Sequence, residues 1–133
     1  MSHYFSAIAL LALALSSIPA KAKTFPHSST CVDTAIISGK TITFTSTLNR
    51  ARNLARQAAE KVNGGLSNYR AEASMYGPTA EAPCVDNGHG TWTFTFTGSR
   101  PGSTIPTVES VVNVAKDRPK VTIDYNGPIT LQR

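Results

Sequence analysis

The stretch that decides the fold is Thr91-Trp92-Thr93-Phe94-Thr95-Phe96-Thr97, or TWTFTFT. Aromatic residues and threonines alternate here with the two-residue period of a β-strand, so each type occupies one face. Aromatic and β-branched residues are also those that strands favour. The pattern predicts a strand whose aromatic face lies in an apolar core and whose threonine face meets solvent.

A helix is predicted from about Leu48 to Val62, with Ser46 or Thr47 as its N-cap. Asn63-Gly64-Gly65 should end it, because glycine readily takes the left-handed conformation of a helix C-terminus. Much of its apolar face is alanine, which lets a helix lie close on a sheet. That face consists of Leu48, Ala51, Leu54, Ala55, Ala58 and Val62.

Further strands are predicted before and after this helix in the sequence. The segment 41–45 alternates with period two, and so does 66–76. The segment 107–115 fits a helix or a strand, and its many β-branched residues favour a strand. The segment 121–125 is a further strand, and we expect the last two to form a hairpin.

These elements predict an α+β domain, with one helix packed on an antiparallel sheet of about four strands. Over residues 46–127 this order resembles the cystatin-like and PepSY-like group, and small uncharacterised exported proteins of bacteria, notably cyanobacteria. The resemblance implies a helix lying across the sheet. The Gln-Val-x-Val-Gly type segment with which cystatins block proteases is absent, so protease inhibition is not implied.

The first 22 residues have the pattern of a secretory signal peptide. The apolar run 7–15 is too short to span a bilayer, and Ala20-Lys21-Ala22 is a small-x-small cleavage signature. The alternative is an amphipathic anchor that stays on the chain. We therefore predict a signal peptide over 1–22, an N-terminal segment with short strands over 23–45, and the α+β domain over 46–133. Cleavage near Ala22 would place the protein in the periplasm or outside the cell, without a stable transmembrane anchor.

The two cysteines, Cys31 and Cys84, are predicted to form a disulfide, as is usual in an exported domain. A bond closing a loop of this length is worth about 4 kcal/mol in the chain-entropy model. A metal site would need ligands at closer spacing, and only His27 and His89 remain after residue 22. No metal or cofactor is expected.

The chain has a formal net charge of +5, which favours an acidic partner such as an envelope protein or a polysaccharide. A nucleic-acid partner is not expected, because no nucleic-acid-binding motif is present. Arg52 and Arg56 lie four apart on one helix face and are candidate binding residues. The alternative is a solvated helix face on which Glu60 pairs with Arg56.

Two other features could carry function. The loop 86–90 contains Asp86 and His89, which could act as acid and base or contact a ligand, although the segment is also a typical tight turn. The threonine face of 91–97, together with Trp92, could contact sugars, or it could be an ordinary solvent face.

The leading functional hypothesis is a non-enzymatic exported binding or regulatory module of the periplasm or cell envelope. One alternative is a small envelope hydrolase that uses His89 and Asp86. Another is a surface protein that binds polysaccharide.

Overall fold

The computed structural model describes Cys31 and residues 41–130, with side chains from Phe44 onward. The signal-peptide interval 1–22 and the segments 23–30 and 32–40 lie outside the described residues. Two short 3-10 helices, Ala73–Met75 and Thr79–Glu81, follow the first strand. The helix and strands are α1 Thr41–Val62, β1 Arg70–Ala71, β2 Cys84–Asp86, β3 Thr91–Ser99, β4 Val108–Ala115 and β5 Val121–Pro128.

The five strands form one antiparallel sheet with β3 and β4 at its centre. β4 pairs along the length of β3, from Thr91 opposite Ala115 to Gly98 opposite Val108. β1 and β2 pair with opposite ends of β3 along its other side, and β5 pairs with β4. The predicted strand over 107–115 and the final hairpin are therefore confirmed.

Helix α1 covers the aromatic face of β3, as the sequence predicts. Phe44 meets Trp92 edge-on, with ring centroids 5.6 Å apart. The α+β class is confirmed, and so is the disulfide between Cys31 and Cys84, whose Cα atoms lie 5.8 Å apart. The buried core includes Leu48, Ala51, Ala55, Ala59, Tyr69, Met75, Trp92, Phe94, Phe96, Val112 and Val114.

The predicted strand over 41–45 is wrong, because these residues form the first turns of α1. Ser46 and Thr47 consequently lie inside the helix and are not its N-cap. Phe44 explains the difference: it stands four residues before Leu48 and seven before Ala51, so it extends the buried helical face. At the other end, Ala59 is buried, whereas Val62 is 53% exposed.

The predicted single strand over 66–76 is also wrong. Only Arg70–Ala71 pairs with β3, and the chain then turns into the 3-10 helix that buries Met75. The last strand is longer than predicted, since β5 continues to Pro128 past an irregularity opposite Val111 and Val112. Apolar residues that alternate in 66–76 do reach the core, but Ala71 reaches it from β1 and Met75 from the 3-10 helix.

Candidate functional site

Arg52 is directed into the protein although it belongs to the predicted basic face of the helix. The residue is only 5% exposed. Its guanidinium donates hydrogen bonds to the carbonyl oxygen of Gly77 and to Asn49 Oδ1, the latter at 2.7 Å. Burial lowers the pKa of Arg52, and the charge of Arg56 acts in the same direction. Arg52 therefore holds the segment that follows β1 against α1.

Arg56 takes part in a neighbouring cluster on the same side of α1. It pairs with Glu60 at 2.8 Å, as the sequence predicts, and its guanidinium lies 4.6 Å from the centre of the Tyr76 ring. The Tyr76 hydroxyl donates to the same Glu60 oxygen at 3.1 Å. Arg70 lies over the same ring at 5.2 Å. These contacts give both helix arginines a structural role.

The carboxylate of Asp86, the last residue of β2, is bound by Lys116, which directly follows β4. Lys116 Nζ lies 2.7 and 2.6 Å from its two carboxylate oxygens, and the Gly88 N–H donates to it at 2.9 Å. Burial alone would raise the pKa of Asp86, but these hydrogen bonds and the lysine charge hold it below its ordinary value. Lys116 also lies 5.1 Å from the centre of the Trp92 ring.

His89 is exposed on the turn between β2 and β3. Its Nδ1 atom lies 3.5 Å from Thr91 Oγ1. Within residues 41–130 no hydrogen bond joins His89 to Asp86, whose carboxylate binds Lys116 instead. The two residues share a turn but do not form an acid–base pair in this geometry. Among the described residues, no group of three or more His, Cys, Asp or Glu side chains is placed to hold a metal ion.

The threonines of β3 lie on the face of the sheet away from α1, where asparagine side chains bridge them and only Thr95 is exposed. Thr93 Oγ1 donates to Asn113 Oδ1 at 2.5 Å, and Asn87 Nδ2 donates to Thr91 Oγ1 at 2.9 Å. Trp92 is 1% exposed and lies in the core. It is therefore not available as a platform for sugars.

A groove that the sequence did not reveal lies where β1 meets β3. Because Gly98 has no side chain, the Tyr69 ring packs directly against β3 at this position. β1 then pairs Arg70 with Ser99 and Ala71 with Gly98. The connection from β3 to β4 curls over the same end of the sheet. We call the resulting cleft the β1–β3 groove, and its volume is about 400 Å³.

The wall formed by the β3–β4 connection is held by its own hydrogen bonds. Ser103 N–H donates to the Arg100 carbonyl at 3.0 Å, and Ser99 Oγ donates to the Ser103 carbonyl at 3.2 Å. Thr107 N–H closes the connection onto the Gly98 carbonyl at 2.9 Å. The groove is thus shaped by ordered backbone.

The charged residues lining the β1–β3 groove are Arg70, Arg100 and Glu72, which leaves one excess positive charge. Glu72 accepts a hydrogen bond from Thr97 Oγ1 at 3.3 Å. The guanidinium of Arg100 has no ion-pair or hydrogen-bond partner among the described residues, and the residue is exposed. Such a cleft can bind a small anionic group together with hydroxyls. The only sequence signal for it was the Gly-, Pro- and Ser-rich stretch 98–106.

Comparison with known proteins finds no matching protein family, no similar curated protein and no similar solved structure. Over the described part of the chain, no helix has the length and apolarity needed to cross a membrane.

Proposed function

We propose that this chain is a non-enzymatic, exported binding module of the periplasm or cell envelope that holds an acidic ligand in the β1–β3 groove. The observation that carries the proposal is the position of Arg100 and Arg70 at a preformed cleft of about 400 Å³. Arginine is well suited to this task because its planar guanidinium binds carboxylates through paired hydrogen bonds. The ligand would be an acidic envelope protein or polysaccharide.

Export is part of the proposal and is supported by two independent features. The leader pattern of residues 1–22 predicts cleavage near Ala22. The Cys31–Cys84 disulfide is of the kind that persists in oxidising compartments. A regulatory role toward an envelope enzyme is the form suggested by the cystatin-like and PepSY-like resemblance, which is an argument from fold analogy.

The hydrogen bonds of Asp86 argue against hydrolysis by Asp86 and His89 at the β2–β3 turn. The Asp86 carboxylate is bound through both oxygens by Lys116, and within residues 41–130 no hydrogen bond links it to His89, which it would have to orient or activate in hydrolysis. The β1–β3 groove lies at the opposite end of β3 from this turn. Binding at the groove and chemistry at His89 are therefore separable by mutation.

The test uses the oxidised protein recovered from a host that exports it. We would measure binding to two acidic polymers, polyglutamate and polygalacturonate, at low and high salt. The variant Arg70→Gln/Arg100→Gln should weaken binding at least tenfold, equivalent to about 1.4 kcal/mol. The control Arg118→Gln/Lys120→Gln removes two exposed charges from the β4–β5 turn, at the other end of the sheet, and should bind as the wild type does.

Equal binding by the wild type and the groove variant would show that the β1–β3 groove is not the site. Equal losses in the groove and control variants would mean that only net charge matters. The variant His89→Ala should leave binding unchanged, since His89 lies at the opposite end of β3. A hydrolytic activity that His89→Ala abolishes would contradict the non-enzymatic assignment.

A further inference from the structure

We infer that the occupant of the β1–β3 groove is a uronic acid unit of an acidic polysaccharide rather than an acidic protein segment. The inference rests on the proposed function and adds the chemical class of the ligand. It depends on the combination of residues that line the groove, which includes two arginines, one glutamate and several hydroxyl-bearing residues. These residues are Arg70, Glu72, Thr97, Ser99, Arg100 and Ser103.

A uronic acid presents a carboxylate and several hydroxyl groups on one ring, and the lining of the groove includes both arginines and the acceptor carboxylate of Glu72. Arg70 and Arg100 can donate to the carboxylate, an interaction that is stronger than a neutral hydrogen bond. The Glu72 carboxylate accepts hydrogen bonds only, so it suits sugar hydroxyls. Only its Oε2 atom receives a hydrogen bond from a described side chain, that of Thr97.

The same carboxylate argues against an acidic peptide. Glu72 repels the carboxylates of either ligand, but the ring hydroxyls of a uronic acid can donate to it and offset that repulsion, whereas the side chains of an acidic peptide offer no hydroxyl donors. Protein ligands also depend on aromatic or aliphatic anchors that fill apolar pockets. Every described residue that lines the groove is charged, hydroxyl-bearing, or one of alanine, glycine and proline, so no such pocket is present.

The volume of the groove, about 400 Å³, is at the lower end of the usual range for small-molecule sites, roughly 300–1,000 Å³. It therefore suits a short segment of a polymer.

The experiment is calorimetric titration of the full exported protein with three probes of matched length. These are oligogalacturonate, the same oligomer with its carboxyl groups reduced to alcohols, and oligoglutamate. Oligogalacturonate should bind at least tenfold more tightly than either of the other two. Arg70→Gln and Arg100→Gln should each weaken it severalfold, and Arg118→Gln should not.

Glu72 provides the sharpest readout. Removing this negative charge strengthens the attraction of the groove for any anion, so Glu72→Ala should improve oligoglutamate binding. The same change removes the acceptor for sugar hydroxyls and should weaken oligogalacturonate binding about tenfold. The conservative variant Glu72→Gln keeps one acceptor oxygen and should lie between Glu72→Ala and the wild type, and unchanged melting temperatures would show that both variants fold.

The outcomes separate the two proposals. Oligoglutamate binding as tightly as oligogalacturonate, with loss in the arginine variants, overturns the sugar assignment and supports the acidic-ligand site. Stronger oligogalacturonate binding in Glu72→Ala also overturns the sugar assignment. Absence of binding by all three probes overturns both proposals.

Discussion

The ring of Tyr69 packs so closely against Gly98 that a β-carbon at position 98 would fall 2.3 Å from two of its ring atoms. That distance is far shorter than any normal contact between carbon atoms. Tyr69 is 1% exposed, and its burial raises the pKa of the phenol, which therefore stays neutral. The close approach brings β1 into the sheet and so forms one wall of the β1–β3 groove.

Gly98→Ala should therefore destabilise the protein. The added methyl group must displace the Tyr69 ring, and overpacking of this kind costs about 1–3 kcal/mol. The displacement should also loosen β1, which pairs with β3 through only two residues. We expect a lower free energy of unfolding in urea and faster amide hydrogen exchange at Glu72, whose N–H donates to the Thr97 carbonyl at 2.9 Å.

A double-mutant cycle gives the control for this clash. In the background of Tyr69→Ala, which removes the ring, the further change Gly98→Ala should cost much less. Equal costs in both backgrounds would mean that the methyl group is harmful for a reason other than the ring.

The pairing of Asp86 with Lys116 should make stability depend on acid pH. The folded-state pKa of Asp86 is lowered, so its stabilising contribution is present above the unfolded-state pKa of about 3.9. The contribution is lost as the pH falls from there through the lower folded-state pKa. Asp86→Asn should cost about 1.5–3 kcal/mol at pH 7, as for hydrogen bonds to charged groups, and progressively less as the pH falls below about 3.9.

The matched control for Asp86 is Asp117→Asn, because the Asp117 side chain is 74% exposed. Its effect on the free energy of unfolding should stay within about 0.5 kcal/mol at pH 7. If Asp86→Asn gave the same small and pH-independent change, Lys116 would not be stabilising the carboxylate.

The central strand was predictable because its pattern has a single interpretation, whereas 107–115 also fitted a helix and was assigned to a strand by its β-branched residues. TWTFTFT cannot place its three aromatic residues on one face of a helix. The strand predicted over 41–45 was wrong because its alternating threonines hide the helical spacing from Phe44 to Leu48. The packing of Phe44 against Trp92 favours the helix over the strand.

The candidate site was largely beyond prediction, because its residues are distant in sequence. Arg70 and Arg100 come together only through the pairing of Arg70 with Ser99. That pairing depends on the contact between Tyr69 and Gly98, which no local pattern reveals. The helix spacing correctly predicted that Arg56 can pair with Glu60. Spacing alone could not show that Arg52 is buried and donates a hydrogen bond to the Gly77 carbonyl.

The disulfide should contribute substantially to stability. Cys31 and Cys84 are 53 residues apart, and closing a loop of this size is worth about 4 kcal/mol in the chain-entropy model. Reduction should lower the melting temperature of the wild type to that of Cys31→Ala/Cys84→Ala. That variant also serves as the control, since reductant should not change its melting temperature. A wild type that melts identically with and without reductant would contradict the expected stabilisation.

Replacing Arg52 by methionine separates a structural arginine from one that binds a partner. Methionine keeps the apolar stem but removes the hydrogen bonds to Gly77 and Asn49, so we expect a loss of about 1.5–3 kcal/mol on urea unfolding. Arg118→Met, on a side chain 65% exposed, should stay within about 0.5 kcal/mol. At temperatures where Arg52→Met is fully folded, it should bind acidic polymers as the wild type does. A variant of unchanged stability that no longer binds them would instead make Arg52 part of the binding surface and move the site from the β1–β3 groove to α1.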